Sequence, residues 1–304
     1  MHKKNSAKLF SRISNWLDDS ILYPSIFILT NKINYYQKII SKGFKKKNIL
    51  FYPEKPDFHY ALYKLCQLSG YGITNNPDIP ADLVISFEDT TIKKESVILD
   101  DLKKKQRVLN IDCKDISKKK VGEVFSEVFG YNMTIDPNTY QGACVRKSDV
   151  NATHDGTVVQ CPTKSEETYT YQKLINNEVD EKTVIDFRVC VIGGKIPIVV
   201  KRYKSILDRF DHTDKEVVAN TEDLFKPDEI KKISEFCKKF GIDYGELDVL
   251  RDRDDNRIYI VDVNNTPYGP RRGREMDKIG YDRLFLSLSE AFESEFFSAK
   301  NPNA

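Results

Sequence analysis

The sequence predicts an α+β protein in which a small α/β unit precedes a larger region with antiparallel hairpins. In residues 48–115, short apolar strand-like runs alternate with a helical pattern, which is typical of a parallel sheet. Two longer apolar runs, each interrupted by turn-forming residues, indicate hairpins over residues 184–204 and 245–267. The 304 residues are enough for two or three packed units.

The composition is that of a globular protein with balanced charge. Hydrophobic residues make up 40% of the chain, charged residues make up 31%, and the formal net charge is +2, so we expect no nucleic-acid partner. The six cysteines show no Cys-x-x-Cys spacing, which favours reduced thiols in a cytoplasmic protein. We expect no transmembrane segment, because the longest apolar run is far shorter than the ~20 residues that a spanning helix needs.

Residues 1–47 are predicted to form a basic helical segment. Leu9, Ile13 and Leu17 recur at helical spacing, and lysines cluster at residues 45–47. A packed amphipathic helix with solvated lysines is the simpler interpretation. A peripheral contact with a membrane or a partner is the alternative.

The hairpin over residues 245–267 carries the most informative pattern in the chain. If its turn is centred on Asp255, then Asp248 faces Asp262 and Glu246 faces Asn264. The opposite face of the same hairpin is then apolar and consists of Leu247, Val249, Val261 and Val263. A register slip of one residue would turn every side chain to the other face, so the prediction depends on the position of the turn.

Two carboxylates that face each other across paired strands repel, unless a cation lies between them. Mg²⁺ prefers oxygen ligands and commonly takes one or two carboxylates together with substrate phosphates. The sequence therefore predicts a magnesium site formed by Asp248, Asp262 and Asn264. An ordinary hairpin with a solvated polar face is the alternative.

The hairpin over residues 184–204 turns at the Gly-Gly pair of positions 193–194. This turn predicts that Asp186 faces Lys201, with Arg188 on the same face. A shift of half a residue would instead place Arg202 opposite Asp186. Cations beside a carboxylate could bind a phosphate or an acyl phosphate, and a cross-strand salt bridge is the alternative.

A strand that ends at Lys147 is followed by a loop of small and polar residues that contains His154 and Gly156. Such a loop could fold over phosphate groups, because its backbone N–H groups and the lysine supply donors. An ordinary hairpin loop is the alternative.

The order of these motifs resembles the ATP-grasp superfamily. A lysine strand and loop come first, followed by the short strand Tyr171–Ile175, an Asp-x-Arg hairpin, an aspartate strand and Asp-Val-Asn-x-x-Pro. The resemblance covers roughly residues 100–295. It implies an ATP-grasp nucleotide-binding fold behind a pre-ATP-grasp unit at residues 48–115. Residues 116–180 would then be the small (lid) subdomain, and residues 181–304 the C-terminal subdomain with the metal site.

The resemblance also implies cofactors and residue roles. ATP and Mg²⁺ would be the cofactors, and Asp262 would stand where the family more often has glutamate. The metal ligands would be Asp248, Asp262 and Asn264, and the catalytic cations would be Arg188, Lys201 and Arg202. The nucleotide would be bound by Lys118, Lys147, His154, Gly156, Gln172, Lys173, Leu174 and Glu178. Within this set, Gln172, Lys173 and Leu174 would form the hinge between the subdomains, and Glu178 would bind the ribose hydroxyl groups. Lys119 and Lys120 are adjacent alternatives to Lys118.

The activity that the resemblance implies is that of a carboxylate–amine ligase acting through an acyl phosphate. A kinase that phosphorylates a hydroxyl group and a non-catalytic nucleotide-binding module are the alternatives. We expect a small-molecule or glycan-type acceptor, and the oligomeric state is left open.

Overall fold

The structure is a computed structural model that describes residues 46–151, 153, 155–210, 213–270 and 273–298. Nearly all of the predicted basic segment at residues 1–47 therefore lies outside the described residues. No helix in the described part of the chain is both long enough and apolar enough to cross a membrane.

The first unit is a parallel four-stranded sheet with the strand order β2-β1-β3-β4, as the alternating pattern predicts. Its strands are β1 (Asn48–Pro53), β2 (Gly72–Thr74), β3 (Leu83–Phe87) and β4 (Val108–Leu109). Its helices are α1 (Ala61–Ser69) and α2 (Val97–Lys103). Helix α1 ends at Gly70, which has a φ of +73° and therefore takes the left-handed conformation that stops a helix.

A helix and a small antiparallel sheet follow. Helix α3 (Lys118–Phe129) begins where the Ser117 side chain accepts a hydrogen bond from the backbone N–H of Lys120. The sheet has the order β6-β5-β7, formed by β5 (Gly142–Ser148), β6 (Thr157–Cys161) and β7 (Tyr169–Lys173). The segment between β5 and β6 is the predicted phosphate loop.

The largest sheet is antiparallel and has the order β10-β9-β8-β11-β12. Its strands are β8 (Thr183–Ile192), β9 (Lys195–Ser205), β10 (Lys215–Ala219), β11 (Tyr244–Arg251) and β12 (Ile258–Asn264). Helices α4 (Pro227–Phe240) and α5 (Lys278–Phe296) complete the described elements. The α+β prediction is confirmed, whereas the predicted domain boundaries stay predictions.

The two faces of this sheet serve different purposes. One face is largely apolar, and there Val189 and Leu247 pack with Phe125 of α3 and Phe236 of α4. The other face changes character along each strand. In β8, for example, Cys190 and Ile192 are buried in a second core, whereas Asp186 and Arg188 line a cleft. The packed core thus continues directly into the charged cleft.

The second core joins parts of the chain that are far apart in sequence. Phe51 of β1 and Leu65 of α1 belong to the same buried cluster as Phe285 and Phe292 of α5. The apolar side of α1 is therefore covered by α5 rather than by the first unit alone.

The pairing of β11 with β12 agrees with the prediction at the site. Asp248 lies opposite Asp262, and Glu246 lies opposite Asn264. Nearer the tip the register shifts, because Val249 pairs with Ile260. Val261 is thus the extra residue of a β-bulge, which lets it line the cleft although strict alternation would place it on the apolar face only.

The pairing of β8 with β9 corrects one prediction. Asp186 lies opposite Arg202, which is the alternative that a half-residue shift allowed, and Phe187 lies opposite Lys201. The register shifts between Cys190 and Ile192, next to the Gly-Gly turn. The turn was located correctly, but this irregularity moves every pair beyond it by one residue.

Candidate functional site

A cleft of about 340 Å³ lies where the small sheet, the large sheet and the α/β unit meet. Most of the predicted site residues line it. From the large sheet come Arg188, Arg202, Asp248, Asp262 and Asn264. From α3 and the small sheet with its loop come Lys118, Lys147, Gly156, Gln172, Lys173 and Leu174. His154 lies outside the described residues.

The predicted metal ligands lie together at one end of the hairpin strands. Asp248 and Asp262 are directly opposed, and the side-chain oxygen of Asn264 is oriented by the backbone N–H of Thr266 at 2.9 Å. Among the residues that the structure describes, no group of three or more His, Cys, Asp or Glu side chains could hold a metal ion. Two carboxylates and an amide are ligands that Mg²⁺ commonly takes together with substrate phosphates.

Both carboxylates contact cations in the ligand-free structure. Asp248 lies 2.7 Å from Arg202, and Asp262 lies 2.7 Å from the ammonium group of Lys118. Burial by itself would raise the pKa of Asp248, but Arg202 and Arg188 outweigh it and hold this pKa well below its usual range. Asp248 is therefore ionised at neutral pH, as a metal ligand must be.

The floor of the cleft is a network of alternating charges. The Nε atom of Arg188 lies 3.1 Å from Glu246 and 3.6 Å from Asp248, while Lys204 lies 2.6 Å from Asp186. These cations contact carboxylates and line the cleft, where they could bind an anion.

Lys201, which we predicted as a catalytic cation, does not take part in this network. It pairs with Phe187, and side chains alternate along a strand, so Lys201 points to the other side of the sheet. Lys204 occupies the cleft instead, because it lies two residues beyond Arg202 on the same face.

Lys147 differs from the other cations in the cleft. In the described part of the chain no carboxylate oxygen lies within salt-bridge distance of its ammonium group, and its nearest ring, that of Phe210, is 5.9 Å away. Desolvation lowers the pKa of Lys147, with Asp262 opposing this effect from a distance. A lysine in the cleft that has no carboxylate partner among the described residues is suited to contact a phosphate group.

The strand β7 presents polar groups to the same cleft. Gln172 is only 2% exposed, and its Nε2 atom has no hydrogen-bond partner among the described residues. The Lys173 ammonium is engaged elsewhere, at 2.7 Å from Asp252 and 3.1 Å from Asp255, so its side chain is not free to hold a nucleotide. Any contact from this residue would come from its backbone.

Glu178, the predicted ribose ligand, does not line the cleft. It forms an isolated β-bridge with Val184 at the start of β8. The prediction placed a carboxylate shortly after the hinge strand, but the chain at that point already runs alongside the large sheet.

Several residues that line the cleft were not predicted from the sequence. They are Asp89, Asn177, Asp186, Lys204, Arg209 and Tyr268. For Asp89 a signal was present, because it follows β3 at the carboxyl end of a parallel strand, where sites commonly form. Arg209 lies in an irregular segment, where its guanidinium group donates to Asn177 at 2.6 Å. No periodic pattern could have placed it there.

The buried carboxyl group of Glu246 makes stability depend on pH. Burial raises its pKa to about 7, although Arg188 opposes the shift, compared with about 4.3 in an unfolded chain. The folded state therefore binds the extra proton, which stabilises it fully below pH ~4.3. This contribution, roughly 3 kcal/mol, is lost as the pH rises through 7.

We therefore expect the wild-type protein to lose stability between pH 5 and pH 8 relative to Glu246→Gln. Denaturant unfolding of both proteins at each pH measures the difference. Parallel pH profiles would show that Glu246 is ionised in the folded protein throughout this range.

The fold is similar to that of several solved structures. No family model and no curated protein matches the chain. Among solved structures, the chain is similar to a RiPP-associated ATP-grasp ligase from Chryseobacterium gregarium in complex with ADP and a leader and core peptide. The identity is 13%, the match covers 84% of this chain and 98% of that one, and the TM-score is 0.50.

Two further structures match less well. The macrocyclase MdnC from Microcystis aeruginosa, bound with its precursor peptide MdnA, shares 14% identity over 81% of this chain and 98% of that one, with a TM-score of 0.42. The ATP-grasp ligase PsnB, complexed with a phosphomimetic variant of a minimal precursor, Mg and ADP, shares 14% identity with a TM-score of 0.35. That match covers 51% of this chain and 47%, about half, of the PsnB chain.

The prediction of a small-molecule or glycan-type acceptor is contradicted by these comparisons. The Chryseobacterium gregarium ligase is in complex with a leader and core peptide. The prediction was wrong because nothing in composition or motif order distinguishes a free small molecule from a peptide segment with the same reacting group.

Proposed function

We propose that this chain, which has the ATP-grasp fold, is an ATP- and Mg²⁺-dependent ligase that activates a peptide carboxylate as an acyl phosphate. The observation that carries the proposal is the composition of the cleft. The opposed carboxylates of Asp248 and Asp262, with the adjacent amide of Asn264, lie in the same cavity as Lys147. Lys147 has no carboxylate partner among the described residues. Mg²⁺ takes carboxylate and amide oxygens together with phosphate oxygens, and a lysine ammonium group binds phosphate, so a metal–phosphate complex suits both sets of groups.

The residues present fit magnesium and a nucleotide. Asp248, Asp262 and Asn264 would hold the ion, and when bound it would draw charge from the terminal phosphate oxygens. Lys147 and Lys118 would contact phosphate oxygens directly. Lys118 is suited to this because its 2.7 Å contact with Asp262 keeps it at the edge of the metal position. Position and fixed charge are the main contributions that a protein makes to phosphoryl transfer.

The base of the nucleotide would lie against β7. In the described part of the chain, the backbone N–H and C=O groups of Leu174 have no backbone partner. Gln172 also lines the cleft, and its buried Nε2 atom has no hydrogen-bond partner among the described residues. Leu250 and Val261 supply apolar surface in the same cleft. Unpaired polar groups beside an apolar surface suit an adenine ring, which has hydrogen-bonding edges and flat faces.

Arg188 and Arg202 would act on the acceptor side of the transferred group. Both guanidinium groups are fixed by carboxylates, Arg188 by Glu246 and Arg202 by Asp248. A cation that is already oriented loses little entropy when it binds an oxyanion. We infer that these two arginines hold the carboxylate before phosphorylation and the acyl phosphate afterwards.

The proposal that the acceptor is a peptide is supported by the Chryseobacterium gregarium ligase, which is in complex with a leader and core peptide and has a TM-score of 0.50. Asp89 and Tyr268 line the cleft beside the α/β unit, and both are exposed, so they form its rim. A segment of extended peptide could enter there and bring one carboxylate to the arginines.

A nucleotide titration tests the first half of the proposal. Mg-ATP at 100 times its dissociation constant should raise the free energy of unfolding by about 2.7 kcal/mol. We expect a thermal shift that requires Mg²⁺ and is reduced in Asp248→Asn. As a matched control, Asp78→Asn removes an exposed carboxylate of the α/β unit outside the cleft, and should shift as the wild type does.

Hydroxylamine trapping tests the second half. An acyl phosphate reacts with hydroxylamine to give a hydroxamate, so incubation with Mg-ATP, a library of acidic peptides and hydroxylamine should yield peptide hydroxamates together with ADP. A stable phosphopeptide formed on a hydroxyl side chain would contradict the ligase and favour a kinase. If Mg-ATP produced a thermal shift but no peptide in the library stimulated ADP formation, the result would favour a nucleotide-binding module.

A further inference from the structure

Asp89 stands at the rim of the cleft in a fixed orientation. It follows strand β3, and each of its carboxylate oxygens accepts one hydrogen bond. The Tyr60 hydroxyl group donates to Oδ2 and the Thr266 hydroxyl group donates to Oδ1, both at 2.9 Å. Both donors are neutral, so the carboxylate is oriented without being neutralised.

The charge of Asp89 distinguishes it from the carboxylates on the floor of the cleft. Each of those has a lysine or arginine within 4 Å, whereas no cation among the described residues lies that close to Asp89. The floor pairs are Asp186 with Lys204, Asp248 with Arg202, and Asp262 with Lys118. An oriented carboxylate with uncompensated charge, at the edge of a cleft, suits a cationic group on the ligand.

Aromatic rings border the same position. The rings of Tyr60 and Tyr268 lie 4.7 Å apart, and Tyr268 is 55% exposed on the cleft wall. Burial and the hydrogen bonds with Tyr268 and Asp89 hold the pKa of Tyr60 above its usual value, so its phenol stays a neutral donor. An ammonium group is attracted both to the carboxylate and to the faces of tyrosine rings.

The position is rigidly connected to the proposed metal site. The backbone N–H of Ala61 donates to Pro267 at 2.9 Å, and that of Gly269 donates to His59 at 3.1 Å. Thr266, whose hydroxyl group binds Asp89, also donates its N–H to the side-chain oxygen of Asn264. Asp89 and Asn264 are therefore two hydrogen bonds apart through one buried residue.

We propose that Asp89, together with Tyr60 and Tyr268, binds the protonated amine of the acceptor before ligation. The inference rests on the proposed function, because it supplies the second substrate of that reaction. The nucleotide and the carboxylate would occupy the floor of the cleft, and the amine would enter from the rim beside Asn264. The amine could be the α-amino group of a peptide or the ε-amino group of a lysine, which share the same chemistry.

Binding of three small probes to the full chain tests this site. N-acetyl-lysine N-methylamide carries only the ε-amine, norleucine N-methylamide carries only the α-amine, and N-acetyl-norleucine N-methylamide carries neither. We expect at least one amine probe to bind ten times more tightly than the amine-free probe in an NMR titration. The amine probe that binds identifies the source of the group.

The variant Asp89→Asn should lose this tenfold preference, because it keeps the shape of the side chain and one acceptor oxygen while removing the charge. Asp78→Asn, which removes an exposed charge from the same unit, should retain the preference. A cooperative thermal unfolding transition, measured without nucleotide, reports that Asp89→Asn is folded.

Two results would overturn the inference: equal affinity of all three probes for the wild type, or an unchanged amine preference in Asp89→Asn. Failure of the proposed function would look different. In that case no protein, wild type or variant, would show a Mg-ATP thermal shift, whereas the probe titration would still report on Asp89.

Discussion

Replacing Asp262 with asparagine is expected to reduce turnover at least ~10²-fold while the protein still unfolds in one cooperative transition. Asp262 faces Asp248 directly, and the two carboxylates define the predicted metal position. The substitution keeps the volume of the side chain but removes one of the two negative charges that would hold Mg²⁺. ADP release with an acceptor peptide, measured over a range of Mg²⁺ concentrations, checks both the rate and the metal requirement.

The same hairpin offers a matched control. Asp254→Asn changes an exposed carboxylate at the hairpin tip, outside the cleft, and should leave turnover unaltered. If Asp262→Asn released ADP at the wild-type rate with the same Mg²⁺ dependence, the metal assignment would be wrong.

Replacing Lys147 with methionine is expected to have opposite effects on function and on stability. The value of kcat/KM for ATP should fall by about 10²–10³-fold, because a charge-assisted phosphate contact is lost in a desolvated site. The ligand-free protein should be as stable as the wild type or more stable. Lys147 has no ion pair to lose in the described structure, and the lowered pKa shows that its charge is disfavoured there.

Chemical denaturation of the ligand-free proteins, together with steady-state kinetics, measures the two effects. Lys164→Met removes an exposed lysine after β6 and serves as the control for a lost surface charge. A marked loss of stability in Lys147→Met without any nucleotide would mean that this lysine has a structural partner, and it would count against a phosphate-binding role.

Local periodicity was sufficient to predict how β11 pairs with β12. Alternation and one turn placed Asp248 opposite Asp262, although the tip of the hairpin is half a residue away from the expected centre. The bulge at Val261 compensates for that offset. The pairing was therefore predicted correctly for a hairpin that is less regular than the pattern assumed.

The second hairpin shows why such predictions fail elsewhere. Its turn was located correctly, yet a register shift beyond Cys190 replaced the predicted partner Lys201 by Arg202. A bulge depends on how a strand packs against its neighbours, and the sequence pattern does not record it. The prediction for Lys201 was wrong for this reason.

Residues that come from distant parts of the chain were harder to predict. Asp89 belongs to the α/β unit and joins the cleft only through its hydrogen bonds to Tyr60 and Thr266. Glu178 was chosen because it follows the hinge in sequence, but it lies outside the cleft. Proximity in sequence was a poor guide wherever tertiary contacts determine the position.

The core shared by the α/β unit and helix α5 has a consequence for synthesis on the ribosome. Leu65 of α1 is made early, whereas Phe285 and Phe292, which cover it, are made only near the end of the described chain. At a synthesis rate of ~5–20 residues per second, helix α5 is made on the order of 10–40 s after α1. During that interval the apolar side of α1 is exposed in the nascent chain, because the first unit alone does not bury it.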